Sequence, residues 1–382
     1  MSFVDLLQAE TERLGFTLFG ITPILAPSHL REYQAWVAAG LHAGMGYLAS
    51  EQAVERRSHP EQIFPEARSL LNVAMRYPNP TSIPDGPADE ALGRIAAYAW
   101  GDDYHDVIPP RLEALLQVLE SYLGRAIRGR HYTDTGPILE RDFAQRAGLG
   151  WIGKNTCLIS PRHGSYFLIG ESFLSEEFEP TPPLQSDLCG TCQRCIQACP
   201  TQAIRPDRTI DSGRCISYLT IENKGPIPLE LRPRLQDWVF GCDICQTVCP
   251  WNLRFAQSTG ESALAPRPDL PRPVLRKELR LTPQEFNRKF HRNPVRRAKR
   301  RGYLRNVTVA LGNQADPRSI PDLAETLEAE AEPLVRAHAA WALGQMQRSA
   351  SRARQAARNA LEKALRLEQE ATVLDEIRSA ME

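Results

Sequence analysis

Eight of the nine cysteines fall between Cys189 and Cys249, a density and spacing suited to thiolate ligation of metal. The first run is Cys189, Cys192, Cys195 and Cys199 followed by Pro200. The second set is Cys215, then Cys242, Cys245 and Cys249 followed by Pro250. In two-cluster ferredoxins of this pattern the fourth cysteine of each run ligates the other cluster. The spacing therefore assigns Cys189, Cys192, Cys195 and Cys249 to one 4Fe-4S cluster, and Cys199, Cys215, Cys242 and Cys245 to a second. Zinc is the rival reading, but it commonly takes two separated C-x2-C pairs, whereas a three-cysteine run and two Cys-Pro ends favour iron and sulfide. Disulfides fit less well still. The start MSFVDLLQAE carries acids where an export signal needs a basic start and an apolar stretch, so a reducing, cytoplasmic setting is expected. Cys215 lies far ahead of Cys242, so an inserted loop or helix must bring it back. Cys157 is left over, and its neighbours Leu158 and Ile159 suggest a small buried side chain.

Clusters deliver single electrons, so an acceptor site is expected elsewhere in the chain. No G-x-G-x-x-G turn and no G-x-x-x-x-G-K-[ST] loop is present. Asp103-Tyr104-His105 opens like a corrin-binding D-x-H-x-x-G, but Ile108 stands where the glycine belongs. Two polar, glycine-bearing segments read as loops lining something: His131 to Pro137, and Gly148 to Thr156. Asp134 in the first reads equally as a turn residue whose carboxylate bonds its own backbone. Lys154 and Asn155 in the second read equally as solvated surface.

The elements that must position these residues follow from patterning. A chain of 382 residues suits two or three domains, and its 24% charged and 42% hydrophobic residues are ordinary for a globular protein. No apolar stretch approaches the ~20 residues of a spanning helix, so no membrane association is expected. Lys plus Arg and Asp plus Glu stand at 46 each, and the zero balance gives no global pull toward nucleic acid. Locally the balance breaks. From Phe286 to Asn306 the chain carries Arg288, Lys289, Arg292, Arg296, Arg297, Lys299, Arg300, Arg301 and Arg305 with no acid, which is the footprint of a polyanion site or of a solvated helix face. Interleaved Phe286, Phe290, His291 and Tyr303 tilt the reading toward RNA, because exposed bases stack on such side chains.

The expected fold class is mixed α+β and multidomain. Residues 1–180 read as an α/β domain, with a helix over Ile108–Leu123 behind Pro109-Pro110 and a Pro-rich surface loop from Tyr77 to Pro87. Residues 181–264 read as a ferredoxin-like two-cluster domain. A proline-rich linker spans Ala265 to Arg272, and residues 273–382 read as the basic segment plus a helical module. Ala310-Leu311-Gly312-Asn313 and Ala342-Leu343-Gly344-Gln345 recur in that module in the manner of HEAT-like helix pairs, and one last, partly exposed helix is expected from Ser349 onward. Nothing signals a coiled coil, so a monomer is expected.

Several uncommon segments in one order carry a resemblance. Tyr98-Ala99-Trp100-Gly101, Asp103-Tyr104-His105, Asp134-Thr135-Gly136-Pro137, Gly148 to Asn155, Arg214 to Glu222, Gly241 to Gln246 and Arg336 to Gly344 together resemble the epoxyqueuosine reductases, from the N-terminus to about residue 345. That family is similar in its catalytic core to the reductive dehalogenases. The resemblance implies a nitroreductase-like catalytic domain, two 4Fe-4S clusters and cobalamin without a protein histidine on the cobalt. It also implies reduction of epoxyqueuosine to queuosine at the wobble position of tRNAs for aspartate, asparagine, histidine and tyrosine, the last step of queuosine formation. Asp134 is implied as the proton donor, its carboxyl kept protonated by burial. Arg57, Tyr98, Asp134, Lys154, Asn155, Ser160, Ser217 and Asp243 are implied around the corrin. Arg296, Arg297, Lys299, Arg300 and Arg301 are expected to grip tRNA phosphates, and a flavodoxin or ferredoxin to supply electrons. The competing readings are a corrinoid dehalogenase of a small molecule, which has no use for a basic block, and an iron-sulfur electron carrier without catalysis.

Overall fold

The computed structural model describes residues 2–82, 89–184, 186–257, 260–347 and 351–382. Within the expected Pro-rich loop, residues 83–87 lie outside the described residues, as do Ser349 and Ala350. The chain divides into two units. The first comprises Met1–Ser82, Gly101–Gly213 and Asp243–Ala265; the second comprises Ile83–Trp100, Arg214–Cys242 and Pro266–Glu382. The stretch 181–264, expected as one domain, is thus split between them, because Arg214–Cys242 packs with the helical C-terminal residues.

The first unit is built on a four-stranded antiparallel sheet of β1 (Leu18–Pro23), β2 (Ser69–Arg76), β3 (Gly129–Tyr132) and β4 (Phe167–Leu174), in the order β1-β2-β4-β3. Both faces are covered. Every residue of β2 from Ser69 to Met75 is buried, which accounts for an apolar run without alternation. One face carries α1 (Phe3–Arg13) and α2 (Tyr104–Leu123), and Gly170 of β4 is what allows α2 to approach. A Cβ there would lie 2.7 Å from Ile108 and 3.3 Å from Leu112. The other face carries α3 (Glu140–Arg146), with Phe143 and Ala144 fully buried against Phe173, Leu70 and Ala74. Each such aromatic contributes about 1.5–3 kcal/mol by leaving water.

Helix α2 begins earlier than expected. Asp103 caps it, its carboxylate accepting from His105 N–H at 3.1 Å, and Pro109-Pro110 fall inside the helix rather than at its start. The Asx cap outweighs the prolines because Pro109 and Pro110 each forgo only one early intrahelical bond. The earlier start places Tyr104 in the first helical turn.

In the second unit the short strands Arg94–Ile95 and Trp238–Phe240 pair in parallel. Helix α4 (Ile216–Ile221) follows Cys215, which stands at its N-cap. Beyond lie α5 (Lys299–Gln314), α6 (Ile320–Ala329), α7 (Pro333–Gln347), α8 (Ser351–Leu367) and α9 (Ala371–Met381). Helix α7 packs against α5, α6, α8 and α9. The recurring Ala-Leu-Gly has a steric reason: a Cβ on Gly312 would stand 2.6 Å from Trp341, and one on Gly344 would stand 3.0 Å from the Ala380 carbonyl. The single last helix expected from Ser349 is instead two helices. They break where Glu368 accepts from the Gln369 and Glu370 N–H groups, both at 3.0 Å, and from Arg336 at 2.7 and 2.9 Å. The proline-rich linker is packed as well, with Leu270 buried and Arg267 N–H donating to the Trp100 carbonyl.

Candidate active site and cluster-binding region

Asp134 follows β3 in a left-handed conformation, φ 57°, which aspartate tolerates better than most residues. Its N–H donates to Glu140 Oε1 at 2.5 Å, and its Oδ2 accepts from the Tyr104 hydroxyl at 2.8 Å. Thr133 just before it is buried and donates to the Ile169 carbonyl at 2.7 Å, fixing the turn to the sheet. Asp134 is a turn residue, as one reading had it, yet its carboxylate is committed to Tyr104. The expected burial of Asp134 is not observed: the residue is exposed, because the turn carries it past the end of β3. Two carboxyls that the sequence did not single out are more enclosed, Glu171 fully and Glu140 in part. Glu171 of β4 is fully buried, and burial first, then the negative Glu140 and Asp134, hold it well above the usual carboxylate range. Glu140 is pushed up to about 8, chiefly by burial and then by Asp134. The signal for Glu171 was a lone acid inside the strand run Phe167 to Leu174.

The first unit also holds six of the eight clustered cysteines. Cys189, Cys192, Cys195 and Cys249 come within electrostatic reach of one another. Burial pushes the Cys195 thiol up to about 11, and Cys189, Cys249 and Cys192 add to it. Cys249 is raised by burial and by Cys189, and is opposed by the N–H groups of Trp251 and Asn252. Those N–H groups open the helix Pro250–Phe255, so the sulfur stands at a helix N-terminus. Trp151 Nε1–H donates to Cys189 Sγ at 3.4 Å, and Ala203 N–H to Cys199 Sγ at 3.3 Å. Convergent thiols that receive N–H donors suit a thiolate-ligated cluster, whose potential such bonds tune. Cys215 and Cys242 belong to the second unit.

The residues expected around a corrin have varied engagements. Lys154 is half-buried, and its ammonium donates to the carbonyls of Gly190 and Cys192 at 2.6 and 3.0 Å, bracing the first cysteine run. Asn155 is buried, accepts from Cys157 N–H at 3.2 Å, and donates to the Cys245 carbonyl at 3.5 Å. Ser160 is buried and accepts from Arg162 N–H at 3.3 Å. Arg57 is buried, donates to the Ala53 carbonyl at 3.1 Å, and lies over the Tyr33 ring. Asp243 is buried, and Tyr77 and Tyr166 are raised first by their own burial and then by Asp243. In the second unit Ser217 lies in α4, and Tyr98 contacts Phe240. Cys157 is half-buried, not fully enclosed, and a hydrogen bond with Cys245 lowers its thiol. The Tyr166 hydroxyl, near Asp243, Cys157 and Cys245, is buried with no partner. An orphaned phenol beside a carboxylate and thiols fits a cofactor rich in amide groups.

The basic segment is sorted by burial. Arg296, Lys299 and Arg301 are exposed. Arg297 pairs with Glu222 at 2.7 Å and remains exposed, while half-buried Arg300 is held by Glu330 at 2.6 and 2.9 Å and by the Leu281 carbonyl. Arg305 is fully buried, and its guanidinium donates to the carbonyls of Leu219, Asn223 and Gly225 at 2.6–2.8 Å. Of the interleaved ring residues His291 is exposed, whereas Phe286, Phe290 and Tyr303 are buried and do not face solvent as expected. Phe286, Phe290 and Tyr303 pack on one another with centroids 4.9–5.9 Å apart, and the Tyr303 hydroxyl donates to Glu278 at 3.0 Å. Being apolar, they form the base of the segment rather than its contact face.

Comparison with known proteins matches two family models. Residues 57–135 match "Epoxyqueuosine reductase QueG, DUF1730", and residues 188–252 match a 4Fe-4S double cluster binding domain. An epoxyqueuosine reductase of Pseudomonas aeruginosa is 40% identical over 334 residues, covering 86% of this chain and 91% of that protein. Among solved structures, an epoxyqueuosine reductase with an epoxyqueuosine-modified tRNA-Tyr stem loop superposes with a TM-score of 0.88 at 30% identity, covering 99% of this chain and 97% of that one. The epoxyqueuosine reductase of Bacillus subtilis, with its Asp134 catalytic loop swung out of the active site, gives the same score, identity and coverage.

Proposed function

The chain belongs to the epoxyqueuosine reductase family, and from that premise we propose how its own residues carry out the reduction of epoxyqueuosine to queuosine in tRNA. Converting an epoxide to an alkene and water consumes two electrons and two protons. When bound, the two clusters supply electrons singly and cobalamin supplies a strongly reducing low-valent cobalt. The chain must then hold the cofactors, present the base and protonate the departing oxygen.

Asp134 is the proton donor. Its hydrogen bond with the Tyr104 hydroxyl, at a turn that is open to solvent, carries this reading. A positioned carboxyl that reaches the departing oxygen can deliver the proton by general acid catalysis. The named catalytic loop of the Bacillus subtilis enzyme supports the role. Cys189, Cys192, Cys195 and Cys249 hold one cluster; Cys199, Cys215, Cys242 and Cys245 hold the other. Arg57, Tyr98, Asn155, Ser160, Ser217 and Asp243 would hold the corrin, while Lys154 braces the first cysteine run.

The helical module is HEAT-like, the catalytic domain is nitroreductase-like, and the exposed Arg296, Lys299 and Arg301, with Arg297, contact tRNA phosphates. A flavodoxin or ferredoxin is the electron donor, and the enzyme works as a cytoplasmic monomer. No helix among the described residues is long and apolar enough to cross a membrane. The dehalogenase reading is not favoured, since a relative of this fold carries a modified tRNA stem loop.

Asp134→Asn tests the assignment. Turnover of epoxyqueuosine tRNA, read by nucleoside mass spectrometry, is expected to fall at least about a thousandfold while iron, sulfide and corrin absorbance are retained. Unchanged turnover would remove Asp134 from its role.

A further inference from the structure

Glu171 stands in the apolar layer between the sheet and α3. Its same-face neighbours along β4, Ile169 and Phe173, pack with Ala144 and with Phe143. It is 0% exposed, and neither carboxyl oxygen has a donor. Its cross-strand neighbours are Asn72 of β2, whose Oδ1 also lacks a partner, and Tyr132 of β3. The charged groups near it are Glu140 and Asp134, both acidic. Arg57 and Arg141 act on Glu140, and Tyr104 bonds Asp134. Two carboxyls facing each other in such a layer hold together when one carries a proton, because an unpaired buried carboxylate is costly.

We propose that Glu140 is the positioning residue of the acid: protonated Glu171 donates to the Glu140 carboxylate, whose Oε1 accepts the Asp134 N–H and so holds the left-handed turn that sets the Asp134 carboxyl against Tyr104. This rests on the reading of Asp134 as the proton donor. The pair shares one proton, so its titration belongs to the pair rather than to either residue. As pH rises and that proton is lost, two negative charges repel inside the layer. Glu140 then moves off Glu171, the turn loses its acceptor, and turnover declines. Arg141 and Arg57 favour the ionised form of Glu140, which leaves the shared proton on Glu171.

Three measurements on the holoenzyme test the chain of contacts. Infrared spectra across the pH range should show a desolvated protonated-carboxyl band that disappears above neutral pH and is missing from Glu171→Gln. At saturating tRNA, kcat should fall on the alkaline side in the parent enzyme, and that limb should flatten in Glu171→Gln. Glu140→Ala should lower kcat about tenfold or more with KM changed less than about twofold, and Glu140→Gln, which keeps an acceptor oxygen, should recover part of it. A band that survives in Glu171→Gln, or no band at all, overturns the shared proton. Full kcat in Glu140→Ala overturns the positioning role. The infrared result stands whether or not Asp134→Asn abolishes turnover, so a failure of this inference and a failure of the acid assignment are separable.

Discussion

A proton held inside an apolar layer makes stability depend on pH with a definite sign. Glu171 and Glu140 are raised above the ordinary carboxylate value of ~4.3, Glu140 to about 8. Between those limits the folded chain binds more protons than the unfolded one. Their contribution is therefore complete below the unfolded value and is lost as pH rises through the folded one. Denaturant midpoints should fall from pH 6 to pH 9 by an amount equivalent to about 1–3 kcal/mol, and Glu171→Gln should remove most of that slope. At this scale the sequence was legible where spacing alone sets chemistry, as with Cys189, Cys192 and Cys195, or where a turn announces itself, as with Asp134. Glu140 and Glu171 were not legible, since their meeting depends on β4 pairing beside β3 beneath α3, which no local pattern encodes.

Buried arginine at the scale of helices does work that charge counting assigned elsewhere. Arg305 reads in the sequence as one of nine basic residues, yet its guanidinium closes the C-terminal end of α4 by satisfying the carbonyls of Leu219, Asn223 and Gly225. Adjacent Asn306 donates to the carbonyls of Thr220 and Val239, both at 2.8 Å. Together they fix the backbone that leads to Cys215 and Cys242. Arg305→Ala leaves buried carbonyls without donors and should cost about 3–5 kcal/mol in chemical denaturation. Arg305→Lys should recover little, because an ammonium cannot reproduce the fork. The helices themselves were visible from their leucine spacing and their Ala-Leu-Gly recurrences. The acids that claim individual arginines, Glu222 and Glu330, lie far along the chain and could not be paired by reading.

Across the whole molecule the formal charge is zero, so attraction to a polyanion has to come from a local surface and not from the net field. Replacing Arg296, Lys299 and Arg301 together with alanine should weaken tRNA binding and reduce the slope of log K against log salt by about two, measured by titration at several salt concentrations. Arg300→Ala, whose guanidinium is spent on Glu330, should leave that slope nearly unchanged and lower the denaturation midpoint instead. The nest of Phe286, Phe290 and Tyr303 beneath this segment carries a further meaning. Cations mounted on a packed aromatic footing are already in place before any RNA arrives, so docking asks for little ordering of the chain. Calorimetry should accordingly find a small heat-capacity change for the protein's part of the association, and Phe290→Ala should loosen the grip on RNA without touching a single phosphate contact.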